Sequence, residues 1–317
     1  FIPMTRMAIC FTIGVSVALL GTVFPAAGKE GAETPESTAL LSSASLLLGA
    51  HRCGRGEWPE NTLVAVREAS CRWPDIVLEV DVQLTSDGHV VLMHDFGVDR
   101  TTNGSGYVGG MTLEAIRALD GAYHFSTDGG KTFPYRGTGV TVPTLDEAFA
   151  AAPNHRFFIE MKDGAQIGRA TAEAIQRAGA EARCLVASVS PLFLEEFRAV
   201  APDVATVYDF ISAADMLAAL RGGDAWNAYK PAHRVLALSH TLRKRFEITP
   251  KELDSIREKG ILVSMFTLNT REDILKALDL GVDNILTDKP SLLADLLEEE
   301  DAKTSPAGDG TAEDRQS

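Results

Sequence analysis

The run Ile76-Val77-Leu78-Glu79-Val80-Asp81-Val82 decides how the chain is read. Its apolar, β-branched content marks a strand. A period of two sets Glu79 and Asp81 on one face and Val80 and Val82 on the other. Two carboxylates turned into a sheet interior cost several kcal/mol unless something cationic compensates them, and a hard divalent cation suits oxygen donors. The alternative is simple alternation on an edge strand with one wet face. The runs on either side look buried, which favours the inward reading.

Working outward, apolar runs alternate with helical patterns. Leu46–Ala50 precedes a helical stretch at 62–70, and Val90–Met93 follows the decisive run. Arg156–Met161 precedes an Ala-rich helix at 165–178, Cys184–Ser188 a helix at 192–200, and Val204–Val207 a helix near 212–220. Val235–Leu238 comes next. Thr249-Pro250 then opens a helix that Gly260 is placed to stop. Ile261–Phe266, a helix at 271–280 and Asn284–Thr287 complete the series. Such alternation indicates a parallel α/β sheet, best matched by a TIM-type (β/α)8 barrel. A doubly wound open sheet is the alternative, but no strand is followed by G-x-G-x-x-G. The barrel is expected to be irregular. Gln83 to His89 is too short for a crossover helix and contains the turn-like Thr85-Ser86-Asp87-Gly88. Residues from about 97 to 140 are glycine-rich without a clear period and read as a loop insertion over one mouth.

The chain has 317 residues, of which 45% are hydrophobic and 23% charged, an ordinary globular composition. Thirty Lys and Arg against 44 Asp and Glu give 30 − 44 = −14, so nucleic acid is not an expected partner. Cys10, Cys53, Cys71 and Cys184 show no C-x-x-C spacing and suggest neither a zinc cage nor a disulfide framework. Residues 8–25 are almost wholly apolar, preceded by Arg6 and followed by Ala26-Ala27-Gly28. Residues 1–29 therefore read as a signal peptide, with an uncleaved membrane anchor as the alternative. The expectation is export, to a periplasm or the medium. Residues 30–43 read as a linker, 44–296 as the barrel, and 297–317 as a disordered acidic tail.

Chemistry-bearing side chains gather at strand ends. His51 and Arg52 follow the first run within a glycine-rich segment suited to close approach of an anion. His94-Asp95 ends another run, and Glu160 ends Phe157-Phe158-Ile159-Glu160 with Lys162 on the same face. In a barrel, the carboxyl ends of the strands form the active-site mouth. Each position alone has a bland reading as a surface or structural group; their shared location is the signal. His89, His124, His155, His233 and His240 lack it and read as structural or surface residues.

The chain resembles the glycerophosphodiester phosphodiesterase family. The resemblance is carried by His51-Arg52, Pro59-Glu60-Asn61-Thr62, Glu79-Val80-Asp81-Val82, Thr85-Ser86-Asp87-Gly88, His94-Asp95, Asp99-Arg100-Thr101-Thr102, Val142-Pro143-Thr144-Leu145, Ile159-Glu160-Met161-Lys162, Thr267-Leu268-Asn269 and the stretch Gly281–Asp288, all in family order. It implies an irregular barrel with an insertion. It also implies hydrolysis of glycerophosphodiesters to sn-glycerol 3-phosphate and an alcohol. Glu79, Asp81 and Glu160 would hold one divalent cation, Ca²⁺ or Mg²⁺, and His51 and His94 would be the acid/base pair. Arg52 and Lys162 would grip the phosphate, with Glu60 as a supporting contact. Which histidine is acid, and whether the attacking group is water or the glycerol hydroxyl, stay open. Cys53 stands where the family usually has glycine. Phe266 stands where tryptophan is common and would keep an aromatic wall for glycerol. Related readings are a lysophospholipase-D-like enzyme and a non-catalytic phosphodiester binder; retention of the ligand and acid/base positions argues against the latter. The partner implied is a small-molecule phosphodiester, with membrane association through the N-terminal segment possible and the oligomeric state unspecified.

Overall fold

The computed structural model describes residues 47–239, 241, 243 and 247–304. The expected signal peptide or anchor, the linker and the far tail lie outside these residues. The strands are β1 (Leu47–Ala50), β2 (Val77–Leu84), β3 (Val90–Leu92), β4 (Arg156–Asp163), β5 (Cys184–Ala187), β6 (Ala205–Thr206), β7 (Val235–Ser239), β8 (Leu262–Phe266) and β9 (Asn284–Thr287). The helices are α1 (Leu63–Arg72), α2 (Leu113–Arg117), α3 (Leu145–Ala151), α4 (Ile167–Arg177), α5 (Pro191–Val200), α6 (Phe210–Arg221), α7 (Asp224–Ala228), α8 (Pro250–Glu258), α9 (Arg271–Asp279) and α10 (Pro290–Thr304).

Eight strands run parallel in the order β6-β5-β4-β2-β1-β9-β8-β7. The ring closes between β6 and β7 through a single parallel bridge, Val207 to Val235. β3 is the irregularity: it returns antiparallel along β2, with Val82 beside Leu92 and Leu84 beside Val90. Gly88, at φ +84, makes the turn between them. Threonines recur as helix caps, because a hydroxyl at that position accepts an otherwise unpaired backbone N–H. Thr144 with Glu147, and Thr249 with Glu252, form complete capping boxes.

Alternation along β2 and β4 separates two cores. Leu78, Val80, Val82, Phe157, Ile159 and Met161 face outward and pack under helices with Ile175 and Phe197. Val77, Phe158, Leu185, Val207, Val235 and Leu286 fill the barrel interior. Register then sets Asp81 beside Glu160 and Glu79 beside Phe158, so acidic residues form the layer above the apolar plug.

Two expectations need correction. α10 continues to Thr304 instead of giving way to a disordered tail at 297. Leu293 and Leu296 are buried on one face, and a Lys303–Glu300 ion pair sits a turn apart, so the acidic stretch is the outer side of an anchored helix. The insertion is not wholly loop, since it contains α2 and a 3₁₀ turn at Val108–Gly110.

The thin seam is reinforced by His233. Arg198 Nη2 donates to His233 Nε2 at 3.2 Å, and Arg198 Nε donates to Thr206 Oγ1 at 3.0 Å. Burial, then the Arg198 charge, pull the His233 pKa down to about 4 from 6.5. The fold therefore favours the neutral ring. Its contribution is complete above the unfolded value near 6.5 and is lost as pH falls towards 4. Thermal melts at pH 7 and pH 4.5 are expected to show a smaller acid loss for His233→Gln than for wild type, by about 1–2 kcal/mol. Equal losses would refute this assignment.

Candidate active site

The chain turns sharply where β1 meets the mouth. Arg52 (φ +51), Cys53 (φ +61) and Gly54 (φ +91) are consecutive left-handed residues, a conformation glycine adopts without strain and other residues rarely do. Cys53 holds it by full burial, with Sγ 3.6 Å from the Glu79 carbonyl. The turn aims the Arg52 backbone N–H at Glu79 Oε2, 2.5 Å away. It also presents the His51 ring on one side and the Arg52 guanidinium on the other.

Glu79 and Asp81 are buried and Glu160 is half-buried. Ligand oxygens from the three lie within 4.8 Å of one another. Burial first, and then the Asp81 charge, push the Glu79 carboxyl well above its usual range. For Asp81, burial is outweighed by Lys162, His94 and Arg52, so it stays ionised. Lys162 Nζ stands 2.7 Å from Glu160 Oε2 and 3.0 Å from Asp81 Oδ1. Buried Asp81 Oδ1 nevertheless accepts no hydrogen bond. Asn61 fixes the other side of Asp81, donating to Oδ2 at 2.9 Å and accepting from the Asp81 N–H at 3.2 Å. Three carboxylates whose oxygens crowd this closely make an all-oxygen donor set that fits a divalent cation.

Each histidine is held by a carboxylate. His51 Nδ1 lies 2.6 Å from Asp288 Oδ1, and His94 Nδ1 lies 2.6 Å from Asp95 Oδ1. An ionised carboxylate can only accept, so both rings carry the Nδ1 proton and Nε2 is left to exchange one. Asp288 also accepts from Arg55 Nε at 3.1 Å and Asn269 Nδ2 at 2.8 Å. Arg100, from the insertion, donates to Asp95 Oδ2 at 2.6 Å and takes both oxygens of Glu60, at 2.8 and 2.6 Å. The two imidazoles are displaced in opposite directions. At His51 burial lowers the pKa, but Glu79 and Asp288 outweigh it and the value rises. At His94 burial prevails over Asp81 and Asp95, and the value falls.

The structure thus brings His51, His94, Arg52, Lys162, Glu79, Asp81 and Glu160 to one mouth. Glu60 reaches it indirectly: its carboxylate is gripped by Arg100 and by Arg52 Nη1 at 2.9 Å, so it steadies Arg52. Phe266 ends β8, half-buried against the interior apolar cluster. Sequence reasoning gave no role to Asp288, Asn269, Asn61, Asp95 or Arg100. Asp288 was within reach, since it ends a strand run as the other site residues do.

A parallel barrel whose mouth pairs two carboxylate-held imidazoles with an acidic cluster and two cations defines a hydrolase-type centre for an anionic ester. The family model for the glycerophosphoryl diester phosphodiesterase family matches residues 51–292. The chain belongs to this family, and is accordingly a phosphodiesterase. A glycerophosphodiester phosphodiesterase from Caldanaerobacter subterraneus is 31% identical over 261 residues, covering 79% of this chain and 97% of that protein. Among solved structures, a glycerophosphoryl diester phosphodiesterase homologue from Silicibacter pomeroyi superposes with a TM-score of 0.68 at 25% identity, covering 84% of this chain and 97% of the other. A phosphodiesterase from Oleispira antarctica, solved in complex with the product sn-glycerol-3-phosphate, has the same fold, with a TM-score of 0.64 at 23% identity over 80% of this chain and 96% of that one.

Proposed function

We propose that the protein hydrolyses glycerophosphodiesters to sn-glycerol 3-phosphate and an alcohol. The observation that carries this reading is the convergence of His51 and His94, each with its Nδ1 engaged, on a mouth that also holds Arg52, Lys162 and three clustered carboxylates. Family membership and the relatives' names support it. Glu79, Asp81 and Glu160 would hold the divalent cation, Ca²⁺ or Mg²⁺. When bound, it neutralises charge on the phosphoryl group. Arg52 and Lys162 hold the phosphate oxygens as fixed donors that need no reorganisation during the reaction. One histidine takes a proton from the attacking hydroxyl at Nε2, and the other gives one to the leaving alkoxide from Nε2. Phe266 offers the glycerol carbons an apolar wall.

Asp288 holds His51 without touching the phosphate, so it is a positioning residue. Asp288→Asn is expected to lower kcat by about 10²–10⁴-fold, the range over which a misplaced acid or base loses its contribution, with KM nearly unchanged. A pure KM effect in steady-state assays would assign Asp288 to substrate binding instead.

Export belongs to the same proposal, supported by the apolar run at 8–25. Mass spectrometry of the mature N-terminus is expected to find a start after Ala27 in an exported fraction, or an intact anchor in membranes. An intact Met4 or Met7 start in soluble cytoplasm would refute it.

A further inference from the structure

Arg100 belongs to the insertion, yet its guanidinium reaches two carboxylates that each hold a side chain of the site. On one side, Nε donates to Asp95 Oδ2 at 2.6 Å and Nη2 to Asp95 Oδ1 at 3.3 Å. On the other, Nη1 and Nη2 donate to Glu60 Oε2 and Oε1 at 2.8 and 2.6 Å. Asp95 Oδ1 lies 2.6 Å from His94 Nδ1, and Glu60 Oε1 accepts from Arg52 Nη1 at 2.9 Å. One planar fork therefore joins a proton carrier to a phosphate grip, in the series His94–Asp95–Arg100–Glu60–Arg52. Among side chains only a guanidinium presents several donors in fixed directions; an ammonium is a point charge. Burial opposes ionisation of Asp95, but hydrogen bonds from Arg100 and then His94 outweigh it and pull the carboxyl down to about 2.

The loop that carries Arg100 is closed without it. Val98 N donates to the Gly106 carbonyl at 3.0 Å, Thr102 Oγ1 to the Val98 carbonyl at 2.8 Å, and Gly106 N to Asp99 Oδ2 at 3.2 Å. Val98 and Val108 pack with Met93 and Ile116 in a buried cluster. The Arg100 side chain itself is 44% accessible, and ion pairs so exposed add little to stability. What the fork supplies is geometry at the site.

We propose that Arg100 is a positioning residue that locks His94 and Arg52 into one mutual geometry, so that the site works only with the insertion docked on it. The inference rests on the phosphodiesterase reading above and deepens it. A contact with His94 alone leaves the Asp95 carboxylate free to swing. Arg100 holds the far oxygen and fixes the plane, and with it the direction in which His94 Nε2 points. Glu60 is fixed from the same guanidinium and in turn holds Arg52. Such precision matters, since a misplacement of about 1 Å costs about 10²-fold in rate. The two arms have separate kinetic signatures. Loss of the Asp95 arm misplaces a proton carrier and appears in kcat. Loss of the Glu60 arm loosens a contact to an anion present throughout the reaction and appears chiefly in KM.

The test is a set of double-mutant cycles on the full chain, with Arg100→Met, Asp95→Asn and Glu60→Gln and with glycerophosphocholine as substrate. Arg100→Met is expected to lower kcat by about 10–100-fold and to raise KM. In the Asp95→Asn background the kcat cost of Arg100→Met should shrink to about twofold or less while its KM cost persists, because the two residues act through one contact. In the Glu60→Gln background the KM cost should disappear and the kcat cost persist. Arg100→Lys keeps the charge but not the fork, so it should retain most of the deficit, and it takes over the cycles if Arg100→Met does not fold. Proton NMR reads the same geometry without catalysis. The downfield Nδ1–H resonance of His94, identified by its absence from His94→Ala, should broaden or vanish in Arg100→Met, while that of His51, held by Asp288, stays. Costs that multiply in both backgrounds, wild-type constants in Arg100→Lys, or an unchanged His94 resonance would overturn the proposal. A wild type inactive on glycerophosphocholine would instead overturn the phosphodiesterase reading, and the resonance alone would then judge the fork.

Discussion

His51→Ala and His94→Ala are each expected to lower kcat on glycerophosphocholine by about 10²–10⁴-fold, the usual worth of a positioned acid or base, with folded protein recovered. Arg52→Ala and Lys162→Ala should behave differently. Their partner is an anion present in both ground and transition states, so KM rises as kcat falls. A p-nitrophenyl phosphodiester separates the two histidines, because its alcohol leaves without being protonated. The variant lacking the general acid should recover much of its rate on this substrate, and the one lacking the base should stay inactive on both. Equal recovery of both variants, or of neither, would show that the pair does not divide the proton transfers and that one ring serves charge or structure.

Removal of divalent cations is expected to abolish activity to the same extent as either histidine change, and re-addition of Ca²⁺ or Mg²⁺ should restore it. Glu79→Gln and Asp81→Asn should lose most activity in the presence of excess cation. Glu79 is the more telling position. In the cation-free protein, burial and the charge of Asp81 hold its carboxyl above its normal range, so its ionised form is disfavoured in the fold. A neutral glutamine removes that repulsion. Cation-free Glu79→Gln should therefore melt higher than cation-free wild type; in a domain of this size each 1 kcal/mol corresponds to about 2–4 °C. Full activity after exhaustive chelation, or collapse of the Glu79→Gln fold, would make the carboxylates structural.

What was legible in the sequence was what local periodicity encodes. The two-residue alternation of Val77–Val82 and Phe157–Lys162 specified which side chains face the barrel interior, and register then set Asp81 beside Glu160. The turn-like Thr85–Gly88 disclosed that the barrel is irregular there, and the structure shows the form it takes, an antiparallel return of β3 along β2. α3 escaped notice because it spans only Leu145–Ala151, too short for a helical period to show, although Thr144 and Glu147 spelled its capping box. The acidic composition beyond Glu298 hid the leucine spacing that anchors α10. The carboxylate that holds His51 lies 237 residues away in the chain, and no local pattern reports such a pairing. Arg100 was visible as part of a familiar motif, but its bridge from Asp95 to Glu60 exists only once the insertion folds over the mouth. Cys53 shows the reverse case: a departure from glycine noted in the sequence acquires its meaning from the left-handed backbone found there.

The most direct test of the account is ³¹P NMR of the products formed from glycerophosphocholine by the purified protein with Mg²⁺ or Ca²⁺. The account predicts a single new phosphomonoester resonance, that of sn-glycerol 3-phosphate, absent from the His51→Ala, His94→Ala and chelated samples. Phosphocholine as the product, or an unchanged diester resonance with the cation-loaded wild type, would contradict it.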